Sequence, residues 1–156
     1  MNIMKRTIIY FLTIINMFVA NAQTGDVQQC EVVPFADEGV KDFCLRNKKI
    51  DSDKDGHISI EEAKAVTRLS FMNFRSFIRN IKSYADLKYF PNLEYFHAGM
   101  TYVETIDLSC CPKLKELDLS DCRMLKTIIL AKDCKPEIKY PVAYKGEQVK
   151  VEYTKK

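Results

Sequence analysis

Between residues 93 and 130 the chain repeats one phrase, with apolar residues at its first, fourth and sixth places. Val103-x-x-Ile106-x-Leu108 is followed by Leu114-x-x-Leu117-x-Leu119 and by Leu125-x-x-Ile128-x-Leu130. A weaker copy, Leu93-x-x-Phe96-x-Ala98, precedes them. The starting points 93, 103, 114 and 125 lie ten or eleven residues apart, so two phrases make a unit of 21 or 22. An amphipathic helix cannot carry this pattern, because 114, 117, 119, 125, 128 and 130 do not hold a 3.6-residue period. Pro112 and the Asp-Leu-Ser phrases at 107–109 and 118–120 also favour bends. Each phrase therefore predicts a short extended segment with its apolar side chains on one side. Stacked units would merge these into one core.

A unit of this size falls in the range of leucine-rich repeats. Cys111 and Cys122 close two of the phrases, where a small buried packing residue is expected. An earlier unit is readable as Val66-x-x-Leu69-x-Phe71, whereas Phe71 to Tyr84 breaks the pattern and reads as an irregular or helical insert. Apolar residues alternate at Ile138, Tyr140, Val142 and Tyr144 before Lys145-Gly146-Glu147, and at Val149, Val151 and Tyr153 after it. This predicts a hairpin capping the last unit.

The second signal is chemical. Asp51-Ser-Asp53-Lys-Asp55-Gly56-His57-Ile58-Ser59-Ile-Glu61-Glu62 matches the twelve-residue EF-hand calcium loop. Asp51, Asp53 and Asp55 hold the first, third and fifth places, and Gly56 stands where the backbone turns sharply. His57 would contribute its backbone carbonyl, Ser59 would ligate directly or through water, and Glu62 would offer two oxygens. Ile58 should point into the core. Four converging carboxylates repel each other without a cation, and calcium takes six to eight oxygens. Val40, Phe43 and Cys44 lie at helical spacing before the loop, and Ser59 with Glu62 forms a capping box for a helix after it. There is no second Asp-x-Asp-x-Asp-Gly in the chain. A lone loop must lean on another part of the fold, which favours a structural ion over a switch.

Residues 1–22 carry Lys5 and Arg6, an apolar run from Thr7 to Val19, and Ala20-Asn21-Ala22 before Gln23. This is the pattern of a cleaved secretory signal, and no later stretch approaches the length of a membrane span. Export makes disulfides possible among Cys30, Cys44, Cys110, Cys111, Cys122 and Cys134. Cys110 or Cys111 could bond Cys134, and Cys30 could bond Cys44. Without Lys5 and Arg6 the chain holds 22 basic against 21 acidic residues. Near-neutrality of this kind leaves no footprint for nucleic acid.

Enzyme motifs are missing: there is no Gly-x-Ser-x-Gly, no Gly-rich phosphate loop and no His-Glu-x-x-His. With only two histidines, His57 and His97, a multi-histidine metal enzyme is excluded as well. One row of residues is expected to face outward from the extended segments. Tyr95 should lie beside Glu116, and His97 beside Asp118, one unit apart. This row, Tyr95, His97, Glu116 and Asp118, is the candidate partner surface.

The order of parts runs Phe35-Ala-Asp37, helix, calcium loop, Glu-Glu-Ala-x-Ala-Val-Thr, Tyr89-Phe90-Pro91-Asn92-Leu93-Glu-Tyr95, then Leu-x-x-Leu-Asp-Leu-Ser. It resembles secreted bacterial leucine-rich-repeat proteins that begin with a single EF-hand-like, dockerin-like cap, over about residues 34–134. The expected fold is α+β, with an EF-hand-like helix-loop-helix at 34–70 and a short leucine-rich-repeat solenoid at 71–134. A signal peptide (1–22) and leader (23–33) precede these, and a β-hairpin cap (135–156) closes the chain. The resemblance implies a calcium-binding interaction module, not an enzyme, that meets an unknown protein or glycan in the periplasm, at the cell surface or outside the cell. The alternative is a calcium-responsive module in which the repeats only support the loop.

Overall fold

The computed structural model describes residues 31–72, 81–141 and 148–155. The expected signal peptide, Cys30, part of the insert and the expected hairpin turn fall outside the described residues.

Two α-helices lie among the described residues, α1 (Glu38–Arg46) and α2 (Ile60–Ala65). Asp37 starts α1 by accepting the Gly39 and Val40 N–H groups, and the helix buries Gly39, Val40, Phe43 and Cys44. Ser59 starts α2 through a complete capping box with Glu62. A 3-10 turn follows at Ala85–Tyr89. Seven strands complete the set: β1 (Arg68–Ser70), β2 (Tyr95–His97), β3 (Thr105–Leu108), β4 (Glu116–Asp118), β5 (Thr127–Leu130), β6 (Glu137–Lys139) and β7 (Lys150–Tyr153).

All strand pairings are parallel. One sheet has the order β1-β2-β4-β6 and the other β3-β5-β7. From β2 onward, successive strands alternate between the two sheets. Tyr95 sits beside Glu116 and Glu116 beside Glu137, so 21 residues separate neighbours in the first sheet. Thr105 sits beside Thr127, a step of 22 in the second.

This architecture corrects the expected α+β class, a helix-loop-helix cap on a leucine-rich-repeat solenoid closed by a hairpin. The organising layers are two sheets of parallel strands, preceded in the chain by only two short helices among the described residues. The terminal hairpin is also overturned. β6 pairs with β4, β7 pairs with β5, and the two lie in different sheets. The reason is physical: an exposed edge of each sheet presents unpaired N–H and C=O groups to the next strand. The tail extends both edges instead of folding back on itself.

The apolar residues of the repeated phrases are buried, from Leu93, Phe96 and Ala98 through Leu125, Ile128 and Leu130. They join α1, Ile58 and the aromatic group Phe71, Tyr84 and Phe96 in one core cluster. The Tyr84 hydroxyl donates to the Ala98 carbonyl. Three buried thiols serve the backbone one unit back. Cys111 Sγ reaches the Phe90 carbonyl at 3.6 Å, Cys122 Sγ the Gly99 carbonyl at 3.3 Å, and Cys134 Sγ the Leu114 carbonyl at 3.4 Å. The described cysteines are free thiols, so Cys134 bonds neither Cys110 nor Cys111.

A pair of buried carboxylates joins the N-terminal helices to this body. Asp86 accepts the Ala36 and Asp37 N–H groups, each at 2.9 Å. Asp37 in turn accepts from Gly39, Val40, Lys82 and Ser83. Replacing Asp37 with Ala removes a helix cap and strands four N–H groups, so the variant should lose about 3 kcal/mol or more. Urea unfolding checks this against Glu38→Ala, whose exposed side chain should change stability by no more than about 0.5 kcal/mol.

Candidate metal centre and sheet face

The loop from Asp51 to Glu62 is shaped by its own side chains. Asp53 Oδ1 accepts the Asp55 N–H at 3.1 Å, and Asp55 Oδ1 accepts the His57 N–H at 2.7 Å. Gly56 has φ +81° with no atom within 4 Å of where a Cβ would stand. Its requirement is thus conformational rather than steric. Lys54 also has a positive φ, at 62°.

These turns bring Asp51, Asp53 and Asp55 together, with one carboxylate oxygen of each within 4.8 Å of the others. Oxygens on opposite sides of one calcium ion lie about 5 Å apart, given ligand distances of 2.3–2.6 Å. The triad thus has the span of a single coordination sphere. Asp53 and Asp55 are exposed, but Asp51 is only 6% exposed. Its Oδ1 is buried and accepts no hydrogen bond. A buried carboxylate oxygen without a partner is costly, and a hard cation would fit it. Asp51, Asp53 and Asp55 are the residues that would hold the ion.

Glu62 is not one of the three. Its Oε1 accepts the Ser52 N–H and hydroxyl, both at 2.8 Å, and its Oε2 accepts those of Ser59, both at 3.0 Å. Burial pushes this carboxyl up, but the bonds from Ser59 and Ser52 outweigh it and hold it at about 2. Glu62 therefore ties the second residue of the loop to the ninth. Ser59 is engaged in the same way, and the His57 side chain is exposed and stands outside the triad.

The loop leans on the segment preceding α1. Val33 N–H donates to the Ile58 carbonyl and Ile60 N–H to the Glu31 carbonyl, both at 2.8 Å, around an antiparallel bridge between Val32 and Ser59. The Ile58 side chain enters the core.

On the first sheet, Tyr95, Glu116 and Asp118 come together with Leu117, Glu137 and Lys139 around a depression of about 230 Å³. Arg68 covers the Tyr95 ring, its guanidinium 4.1 Å from the ring centre. Lys139 Nζ lies 3.5 Å from Asp118 Oδ2. His97 departs from the expected row. It pairs in register with Asp118, but it is 1% exposed and does not line the depression. Its Nδ1 is 3.4 Å from Ser70 Oγ, and its buried Nε2 is 3.7 Å from Asp121 Oδ2, beyond hydrogen-bond reach. Asp121 stands on the turn after β4, and no spacing within β2 announces it.

Among known proteins, no family model matches the chain and no curated protein matches it. Among the described residues, no helix is long and apolar enough to cross a membrane.

Burial pushes the Asp118 carboxyl up, but Ser120, His97 and Lys139 together hold it below its ordinary value. A lowered carboxyl contributes stability above its unfolded pKa of about 4 and loses it as pH falls through the folded value. Asp118→Asn should therefore cost stability at pH 7, and its difference from the parent protein should vanish as pH falls through the folded value, as read from urea midpoints from neutral to acid pH.

Proposed function

We propose that the protein is an exported calcium-binding interaction module. One structural calcium ion braces the Asp51–Glu62 loop, and a polar sheet face binds another macromolecule without catalysis. The observation that carries the calcium reading is the buried, unpartnered Asp51 oxygen in a triad with the span of one coordination sphere. The organisation of the loop favours a brace over a switch. The Ser52–Glu62–Ser59 clasp and the bridge to Val32 tie the loop to itself and to the segment before α1. A lone loop that leans on the fold in this way supports a structural ion.

A site filled at 100 times its dissociation constant adds about 2.7 kcal/mol, a large share of the ~5–15 kcal/mol of a typical domain. The melting temperature should therefore rise by several degrees in excess calcium relative to chelator, with an unchanged far-ultraviolet circular dichroism spectrum below the transition. Asp51→Ala should abolish the rise. An undiminished rise in that variant would sink the ligand assignment, and a change of spectrum at micromolar calcium would favour the calcium-responsive alternative.

The partner surface is proposed on Tyr95, Glu116 and Asp118. Glu116 and Glu137 are direct neighbours in register, both exposed, and neither forms an ion pair among the described residues. Like charges directly opposite each other destabilise a sheet, and a cost kept on an open face is the mark of a surface shaped for binding. Glu116→Gln should raise stability by about 0.2–1 kcal/mol in urea unfolding. A fall would remove the argument from charge.

A further inference from the structure

Cys110 and Cys111 are the one adjacent pair of cysteines in the chain, in the turn after β3. Their Sγ atoms lie 3.8 Å apart. Cys110 is partly exposed, whereas Cys111 is buried with its thiol directed at the Leu87 and Phe90 carbonyls. The other described cysteines, Cys44, Cys122 and Cys134, are all buried. Burial and the Asp86 charge push Cys44 up to about 12, and burial pushes Cys122 up to about 11 and Cys134 upward. These three are enclosed, out of reach of a dissolved oxidant; Cys111 is buried and pushed up as well, so it can act only on the sulfur beside it. Cys110 moves the other way: its contact with the Cys111 sulfur holds it below its ordinary value. An accessible, activated thiol beside a second thiol is the arrangement that reacts selectively with oxidants.

We propose that Cys110 is a reactive thiol attacked by hydroperoxides, with Cys111 as its resolving partner. The Cys110 thiolate attacks a peroxide oxygen, the O–O bond breaks, and Cys110 becomes a sulfenic acid. The departing alkoxide or hydroxide takes up the proton that Cys110 released on ionising. The Cys111 sulfur then attacks the Cys110 sulfur, the S–O bond breaks, and water leaves with the Cys111 proton. Two thiols and one hydroperoxide thus give a disulfide, an alcohol or water, and one further water.

The bond formed would be reversible. Consecutive Cα atoms are held about 3.8 Å apart, shorter than the roughly 4.4–6.8 Å usual for a disulfide. The resulting strain makes the bond easily reduced. Forming it also draws Cys111 off the Leu87 and Phe90 carbonyls, so oxidation reaches the 3-10 turn at Ala85–Tyr89.

The test is peptide mass mapping of the reduced full-length protein, treated with a small excess of hydrogen peroxide and then alkylated. The peptide carrying Cys110 and Cys111 should lose two hydrogens and escape alkylation, and dithiothreitol should restore both thiols. Cys111→Ser should stop at a sulfenic acid on Cys110, trapped by dimedone, while Cys110→Ser should leave Cys111 unoxidised. The proposal is overturned if Cys110 alkylates as readily after peroxide as before, or if another cysteine is oxidised first. Should Cys111→Ser fail to fold, the parent protein and Cys110→Ser decide the matter by themselves.

Discussion

Asp37 and Asp86 join parts of the chain 49 residues apart, and the placement of the acidic loop at Asp51–Glu62 depends on them. Asp86 lies in the 3-10 turn that leads toward β2, and its two oxygens take the amides of Ala36 and Asp37. Asp37 caps α1 and reaches across to Lys82 and Ser83. Both carboxylates are buried, and all of these bonds are amide-to-carboxylate. Such charge-assisted bonds are about twice as strong as neutral ones, and each buried amide would cost about 1–3 kcal/mol if left unpaired. The loop follows α1 directly, so its first aspartate is set down by a helix that cannot drift from the sheets. Its far end is fixed by Ile58 in the core and by the bridge to Val32.

The strands were legible in the sequence wherever their own side chains decide the matter. Phe96, Leu117 and Ile138 fall in register because each must enter the same core, and the step of 21 residues is the length of chain needed to return there. Pairing partners were less legible. The tail alternates as a hairpin does, but its strands complete two separate parallel sheets, because the choice depends on edges built earlier in the chain. His97 shows the same limit on the scale of one residue. Alternation along β2 points it away from the core, and only the turn carrying Asp121 and the neighbouring Ser70 reveal why it is enclosed.

The grouping of the loop's acids was legible in part. The spacing of Asp51, Asp53 and Asp55 anticipated that their carboxylates lie close together. Glu62 is expected as a ligand from its place in the motif, and in this structure its carboxylate is shared between Ser52 and Ser59. Asp86 gave no signal at all, because an acid in a short Ala-Asp-Leu-Lys turn looks like any solvated surface residue. Its importance lies wholly in amides 49 and 50 residues away.

Charges on the sheets follow a rule that one place breaks. Lys115 pairs with Glu94 and Lys126 with Glu104, both at 2.9 Å, and Lys139 pairs with Asp118 at 3.5 Å. Each pair spans one 21- or 22-residue step, so the fold has a ready way to set opposite charges on neighbouring strands. Exposed pairs of this kind contribute little each, about 0–1 kcal/mol, but they avoid the penalty of like charges side by side. Glu116 and Glu137 occupy the same kind of neighbouring position and carry the same sign. A lysine at either place would conform to the rule at no cost to the core, because both side chains are exposed. The exception falls beside Tyr95 and Asp118, on the rim of the depression in that sheet. Stability alone does not account for two neighbouring carboxylates at that spot, and this is the charge pattern on which the proposed partner surface rests.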